Sequence, residues 1–151
     1  MPFKIYLKKG LLKPQRVNFK QIEKQIIRGK KDLKLAEKVL DDEPEWGATI
    51  AYQAMLRAGR ALLFSKGYLP TDGGQHKTVV ELTHEILGRE YSLLIEKFEK
   101  MRRRRNVFFY ESDVFGTTTD AENALKAASE LIHIIEEMIR KENPQLHFDF
   151  N

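Results

Sequence analysis

Between Pro44 and Gly67 the chain carries small residues at helical spacing. Gly47, Ala51, Ala54, Ala58 and Ala61 share a stripe with Ile50, Met55, Leu62 and Ser65. Steps of three and four return to the same side of an α-helix. Small side chains there let a neighbouring helix approach closely, because the distance between packed helices depends on the residues at the contact. The segment therefore reads as the central helix of a bundle. Pro44 suits its first position, Glu45 its positive end and Gly67 its stop.

The flanking segments show the same period. Asn18 with Gln21 resembles a capping box. From there Phe19, Ile22, Ile26, Gly29, Leu33, Ala36 and Leu40 recur at three and four, until Asp41–Glu43 precede Pro44. After a Pro- and Gly-rich loop over 68–74, a short helix is predicted from His76 to Leu87, with Val79, Leu82, Thr83 and Ile86 inward. Gly88 separates it from a fourth helix over 89–105, and a loop follows over 106–118. Thr119 and Glu122 form a second capping-box pattern. A last helix then runs to Lys141 on Ala121, Ala124, Ala128, Leu131, Ile135 and Met138, closed by Asn143-Pro144. The fold class expected is all-α, an up-and-down bundle of four to five helices with a short extended N-terminal arm. Its parts are a basic arm over 1–18, the bundle over 19–141 and a tail over 142–151. In the arm, Phe3, Ile5 and Leu7 alternate with polar-edged residues, as in a strand.

Composition excludes several classes. The 151 residues suit one domain. With 42% hydrophobic and 32% charged residues, the chain is too apolar for disorder. No apolar window approaches the roughly 18 residues of a membrane span, and the N-terminus has no long apolar run. The absence of cysteine rules out disulfides, thiolate–metal sites and thiol catalysis. Together these features predict a cytoplasmic protein. The net charge of +4 is unevenly spread: residues 1–40 hold 12 Lys and Arg against 3 Asp and Glu, and the rest hold 14 against 19. The basic third either attracts an acidic partner such as nucleic acid or forms a solvated lysine face on the first long helix.

The sharpest candidate site is Met101-Arg-Arg-Arg-Arg-Asn-Val-Phe-Phe-Tyr-Glu111. Leu87, Tyr91, Leu94, Phe98 and Met101 step along one stripe, and Arg105 is its next member. An arginine carried where apolar side chains go must meet an anion or several acceptors, since a buried unpaired charge is costly. Arg103 and Arg104 point elsewhere. The plainer reading is that cations gather at a helix C-terminus, where the dipole favours them.

Other motifs carry less. Glu81-x-x-His84 and Glu130-x-x-His133 have di-metal spacing, but both pairs fall off the inward stripes, and ligands must project inward. His76 and His147 have no partner at metal spacing. Gly73-Gly74 lacks a phosphate-loop context, and no nucleophile-elbow motif occurs. No metal and no cofactor are expected.

Two stretches carry a family resemblance. Tyr52-x-Ala54-x-x-x-Ala58-x-x-Ala61-Leu62, leading into the Gly67 turn, resembles the second helix of HEPN (higher eukaryotes and prokaryotes nucleotide-binding) domains. Arg105-Asn106 resembles that family's Arg-polar dipeptide, and the likeness covers residues 19–141. It implies a helical bundle that often dimerises, with the motif facing a cleft. In many members a histidine follows the Arg by four to six residues, and those members are metal-independent endoribonucleases, commonly toxins with a nucleotidyltransferase-like antitoxin. Here no histidine lies between residues 85 and 132, and Tyr110 stands in its place. A phenol with a pKa of about 10 is a poor general base near neutrality.

The site residues expected from the resemblance are Arg105, Asn106 and Tyr110 in the catalytic positions. Arg102, Arg103, Arg104 and Glu111 would contact nucleic acid. The function expected is binding of RNA, a nucleotide or an antitoxin-type partner through the Arg105 cleft, by a probable-dimer fold without strong catalysis. A weak ribonuclease and a purely structural interaction bundle are the alternatives. Val107–Phe109 and Phe115 offer apolar surface for a homodimer.

Overall fold

The computed structural model describes residues 3–71, 75–110 and 116–151, apart from the side chains of Gln75, Phe109 and Tyr110. In chain order the elements are α1 (Phe3–Lys8), β1 (Leu12–Pro14), α2 (Phe19–Val39), α3 (Pro44–Ser65), β2 (Tyr68–Pro70), α4 (Gln75–Leu87), a 3₁₀ turn (Arg89–Tyr91), α5 (Ser92–Tyr110) and α6 (Thr118–Glu142). The chain is an all-α helical bundle with one two-stranded ribbon.

Helix α3 is the axis of the bundle, and α2, α4, α5 and α6 all pack on it. Its buried residues run right around the helix: Ala51, Tyr52, Ala54, Met55, Leu56, Ala58, Ala61, Leu62, Leu63 and Phe64. A helix apolar on every side belongs in the middle of a core. Glycine makes the closest approaches possible. A Cβ at Gly59 would lie 2.5 Å from Val79 Cγ1 and 2.9 Å from Thr83 Oγ1, so α4 rests directly on the α3 backbone. At Gly47, a Cβ would meet Leu40 Cβ at 2.8 Å.

Helix α2 presents Ile22, Ile26, Gly29 and Ala36 to the core, as its period predicts. Asp32 is also buried there, and it accepts a 2.9 Å hydrogen bond from Arg57 Nε on α3. Lys20, Lys24, Lys31, Lys34 and Lys38 are exposed, which makes the basic third a solvated lysine face. Asn18 caps α2 by accepting from the amides of Lys20 and Gln21 at 3.0 and 3.2 Å. The Gln21 side chain does not return the favour but accepts from Gln15 Nε2. At α6 the reciprocal box is formed by Thr117 and Asp120 rather than Thr119 and Glu122. Three consecutive threonines precede this helix, and the one whose partner falls at the right spacing with the earliest start provides the cap.

Residues 3–8 are a helix, not an extended segment. Phe3, Tyr6 and Leu7 pack against the core while Ile5 stays 59% exposed, so the period of 3.6 prevails over the alternation. Tertiary partners decide this: Phe3 stacks on Tyr68 at 4.4 Å, and the Tyr6 hydroxyl donates to Glu81 at 2.6 Å. The strand lies further on, where Leu12, Lys13 and Pro14 pair antiparallel with Pro70, Leu69 and Tyr68. The tail returns across the bundle. Phe150 is fully buried and Phe148 nearly so, with Phe148 against Phe19 and the Arg140 guanidinium 4.9 Å from the Phe150 ring centre. No described helix is long and apolar enough to cross a membrane.

Alanine normally favours a helix interior over glycine by about 1 kcal/mol. Gly59→Ala is nevertheless expected to destabilise the fold, because overpacking against Val79 and Thr83 costs about 1–3 kcal/mol. A urea denaturation midpoint at or above that of the wild type would contradict the close approach of α3 and α4.

Candidate nucleic-acid interface around Arg105

Helix α5 continues five residues beyond Arg105, to Tyr110, so Asn106–Tyr110 are helical and not loop. The reason is packing. Phe108 meets Trp46 of α3 edge-on at 5.0 Å, which gives this aromatic segment a partner in helical conformation. Aromatic residues are only moderate helix formers, and tertiary context overrides that preference. The four arginines consequently sit inside the helix. Dipole stabilisation fades beyond the last turn, so it does not account for their placement.

Each arginine has its own surroundings. Arg102 lies against Glu99 one turn earlier, with Nε and Nη2 donating at 2.6 and 3.0 Å to the two carboxylate oxygens. Its side chain is only 18% exposed. Arg103 is the outermost, reaching Glu99 at 3.4 Å. Arg104 turns to the opposite flank of α5 and donates from both Nε and Nη2 to Oε1 of Glu45, a buried carboxylate in the first turn of α3. Gly116 leaves room for this pair, since a Cβ there would lie 2.5 Å from Glu45 Oε1. Arg104 is thus a helix-to-helix tie and not a nucleic-acid contact. Arg105 is half-buried on the inward side, beyond Phe98, and its Nη1 donates to Asn106 Oδ1 at 3.2 Å. The side chain of Tyr110, and Glu111 altogether, lie outside the described residues, as does Phe115.

What Arg105 approaches comes from two other helices. Tyr52, in the middle of α3, is fully buried and packs on Phe98, with ring centres 5.8 Å apart. Its hydroxyl is 2.9 Å from Nδ1 of His76, in the first turn of α4. Burial raises the Tyr52 phenol pKa well above its ordinary value, while Arg102, Arg105 and Arg60 pull it the other way. Burial also pushes the His76 imidazole down to about 4, and Arg105, Arg60 and Arg102 add to that effect. A guanidinium from each of three positions on two helices therefore acts on one Tyr–His pair. The sequence gave no reason to connect His76 with Arg105. The one usable signal was that Tyr52 opens the small-residue pattern on the same helix as Arg60.

The remaining candidates are engaged elsewhere. Glu81 accepts from Tyr6, and His84 Nε2 is 3.0 Å from Ser92 Oγ, so this pair ties α4 to α1 and α5. Glu130 and His133 are exposed. Among the described residues, no group of three or more carboxylates and imidazoles gathers as a metal site would require. A recess of about 810 Å³ opens on the opposite flank of α5, toward α6 and the start of α3. Lys97, Lys100, Arg103 and Lys126 edge it, and Arg105 and His76 take no part in it.

The model of the HEPN domain family matches residues 22–138, from the first core position of α2 to the last turns of α6. No curated protein matches the chain, and no solved structure does.

The ordinary histidine pKa of 6.5 falls to about 4 at His76. The folded protein thus resists a proton that the unfolded chain accepts. The sign follows from linkage: stability is full above 6.5 and is lost as the pH falls from 6.5 toward 4. An NMR titration should place the His76 midpoint near the lower value, and His76→Gln should flatten the melting temperature over this window. A midpoint near 6.5 would show that the three arginines do not act on His76.

Proposed function

We propose, from the premise that the chain belongs to the HEPN domain family, that it binds single-stranded RNA by its phosphates at the Arg105 site. The observation that carries this reading is the convergence of Arg60, Arg102 and Arg105 on the Tyr52–His76 pair. Like charges brought together repel, and a phosphate oxygen entering among them relieves that repulsion while accepting charge-assisted hydrogen bonds. Guanidinium suits this task, because its planar fork matches phosphate geometry. Arg102 and Arg105 sit one turn apart on α5 and Arg60 faces them from α3, so a backbone phosphate would be held from two helices.

Arg103, highly exposed at the rim, would add attraction that salt screens readily. Arg104 contributes little, since Glu45 neutralises it. The test is fluorescence anisotropy with a labelled single-stranded RNA over a range of salt. Affinity should fall with log slope of about 0.7 per phosphate contacted. Arg105→Ala should weaken binding by about tenfold or more, the worth of a hydrogen bond to a charged group, with the melting curve unchanged. Binding that survives Arg105→Ala intact would sink the assignment.

A second copy of the chain fits the other end of the site. Trp46 and Val107 are 45% and 44% exposed, and Phe108 lies between α5 and Trp46. Large apolar side chains grouped at one surface are characteristic of interfaces. Sedimentation should therefore find a dimer at micromolar concentration, and Trp46→Glu with Val107→Glu should convert it to monomer. A wild type that sediments only as monomer would exclude this arrangement.

A further inference from the structure

The histidine that the end of α5 lacks is supplied in space by α4. We propose that His76 is the proton-transfer residue of the Arg105 site, and that RNA bound there is cleaved by attack of its own ribose 2′-hydroxyl. The inference rests on the RNA-binding reading above and goes beyond it, from a binding site to a reaction and the residue that carries it.

Geometry is the first support. A base in proton transfer must be held by a third group that fixes its ring. His76 has such a group in Tyr52: the hydroxyl lies 2.9 Å from Nδ1, and the phenol is itself locked by full burial against Phe98. With Nδ1 committed to Tyr52, Nε2 is the nitrogen left for a substrate. A hydroxyl is also the partner that suits both ionisation states of the ring. It can accept from Nδ1–H of the neutral imidazole or of the imidazolium, and in either case Nε2 is the site of change. His76 itself is half-buried, neither sealed in the core nor out in solvent.

Charge is the second support. The phosphorane formed in such an attack carries more negative charge on its oxygens than the starting diester. Arg102 and Arg105 on α5 and Arg60 on α3 are placed to stabilise it, as fixed cations do in a partly desolvated site. The same three charges lower the proton affinity of His76 when no anion is present. A bound phosphate offsets them and returns the imidazole toward its ordinary range, where proton transfer at neutral pH is efficient. The other charged groups near the ring work at the edge of this balance: Glu99 is held by Arg102, and Lys77 and Glu81 lie along α4 itself.

The step balances without a metal, an oxidant or a co-substrate. The 2′-oxygen bonds to phosphorus while the bond from phosphorus to the 5′-oxygen breaks. The 2′-hydroxyl proton passes to Nε2 of His76, and the departing 5′-oxygen takes a proton from water. The products are a 2′,3′-cyclic phosphate and a 5′-hydroxyl, and the imidazolium then releases its proton to solvent. Tyr52 is a positioning residue in this scheme, since it touches the ring and not the RNA.

The experiment follows a labelled single-stranded RNA in excess chelator, with binding and cleavage measured on the same samples. Wild type should yield cyclic-phosphate ends, and a strand with 2′-deoxyribose throughout should bind without being cut. His76→Ala should lower the cleavage rate by about 10²–10⁴, the usual worth of a general base, with affinity within about threefold of wild type, and added imidazole should restore part of the rate. Tyr52→Phe should cut more slowly and shift the pH profile without abolishing cleavage. RNA that binds and stays intact between pH 4 and 9, or His76→Ala that cuts as fast as wild type, overturns the proposal while leaving the binding site standing. RNA that does not bind at all overturns both.

Discussion

The absence of a side chain at Gly59 governs the geometry of the whole molecule. Without a Cβ there, Val79 and Thr83 of α4 rest on the α3 backbone, and Phe98 of α5 closes over the same spot. Helix α3 is consequently surrounded, and nearly every residue it carries is committed to packing. In such a core one methyl group is felt, since interiors are packed at crystal-like density. The Tyr52 ring lies two turns before this contact, and its orientation is set by Phe98 from one side and His76 from the other. The positions of Arg60, Tyr52 and Glu45 along α3 thus fix where α4 and α5 can bring their own polar groups.

Against that packing, the four arginines of α5 divide by angle. A turn of 100° per residue sends successive side chains in different directions. Arg104 reaches a buried carboxylate on α3 and becomes part of the framework. Arg103 faces water. Arg102 and Arg105, three apart, share the inward face, where one is steadied by Glu99 and both act on the Tyr52–His76 pair. A buried carboxylate such as Glu45 is costly unless paired with good geometry, and the double hydrogen bond from Arg104 provides that. Concentrated positive charge beside a neutral imidazole is a different matter. It does little for stability, and it acts where a phosphate would sit.

Much of the architecture was legible beforehand because helical periodicity is a local signal. The stripes of α2, α3 and α6 were set by residues three and four apart, and the structure buries them. The errors came where two local signals competed. Phe3–Lys8 alternates like a strand, but its aromatic residues also satisfy a helical period, and stacking on Tyr68 selects the helix. Residues 106–110 look like a loop by composition, yet Trp46 gives Phe108 a partner that holds the helix together. The Thr117–Thr119 run offered more than one cap, and only the chain's approach to the bundle selects Thr117.

The candidate site was half visible. Arg105 could be placed inward by counting along α5, and its half-buried position follows from that count. Arg104 looked equivalent to Arg102 and Arg103 as a basic residue, since nothing in the sequence links it to Glu45, 59 positions earlier. His76 was set aside for want of a metal partner, because its true neighbour is a phenol 24 positions away on another helix. By itself, then, the sequence determined that the chain is a helical bundle, which helix is central and that an arginine ends up facing inward. These depend on spacing along a single helix. Only the tertiary structure decided which arginine is neutralised, which histidine stands beside the others and how α5 ends, because those outcomes depend on contacts between helices, and separation along the chain carries no record of them.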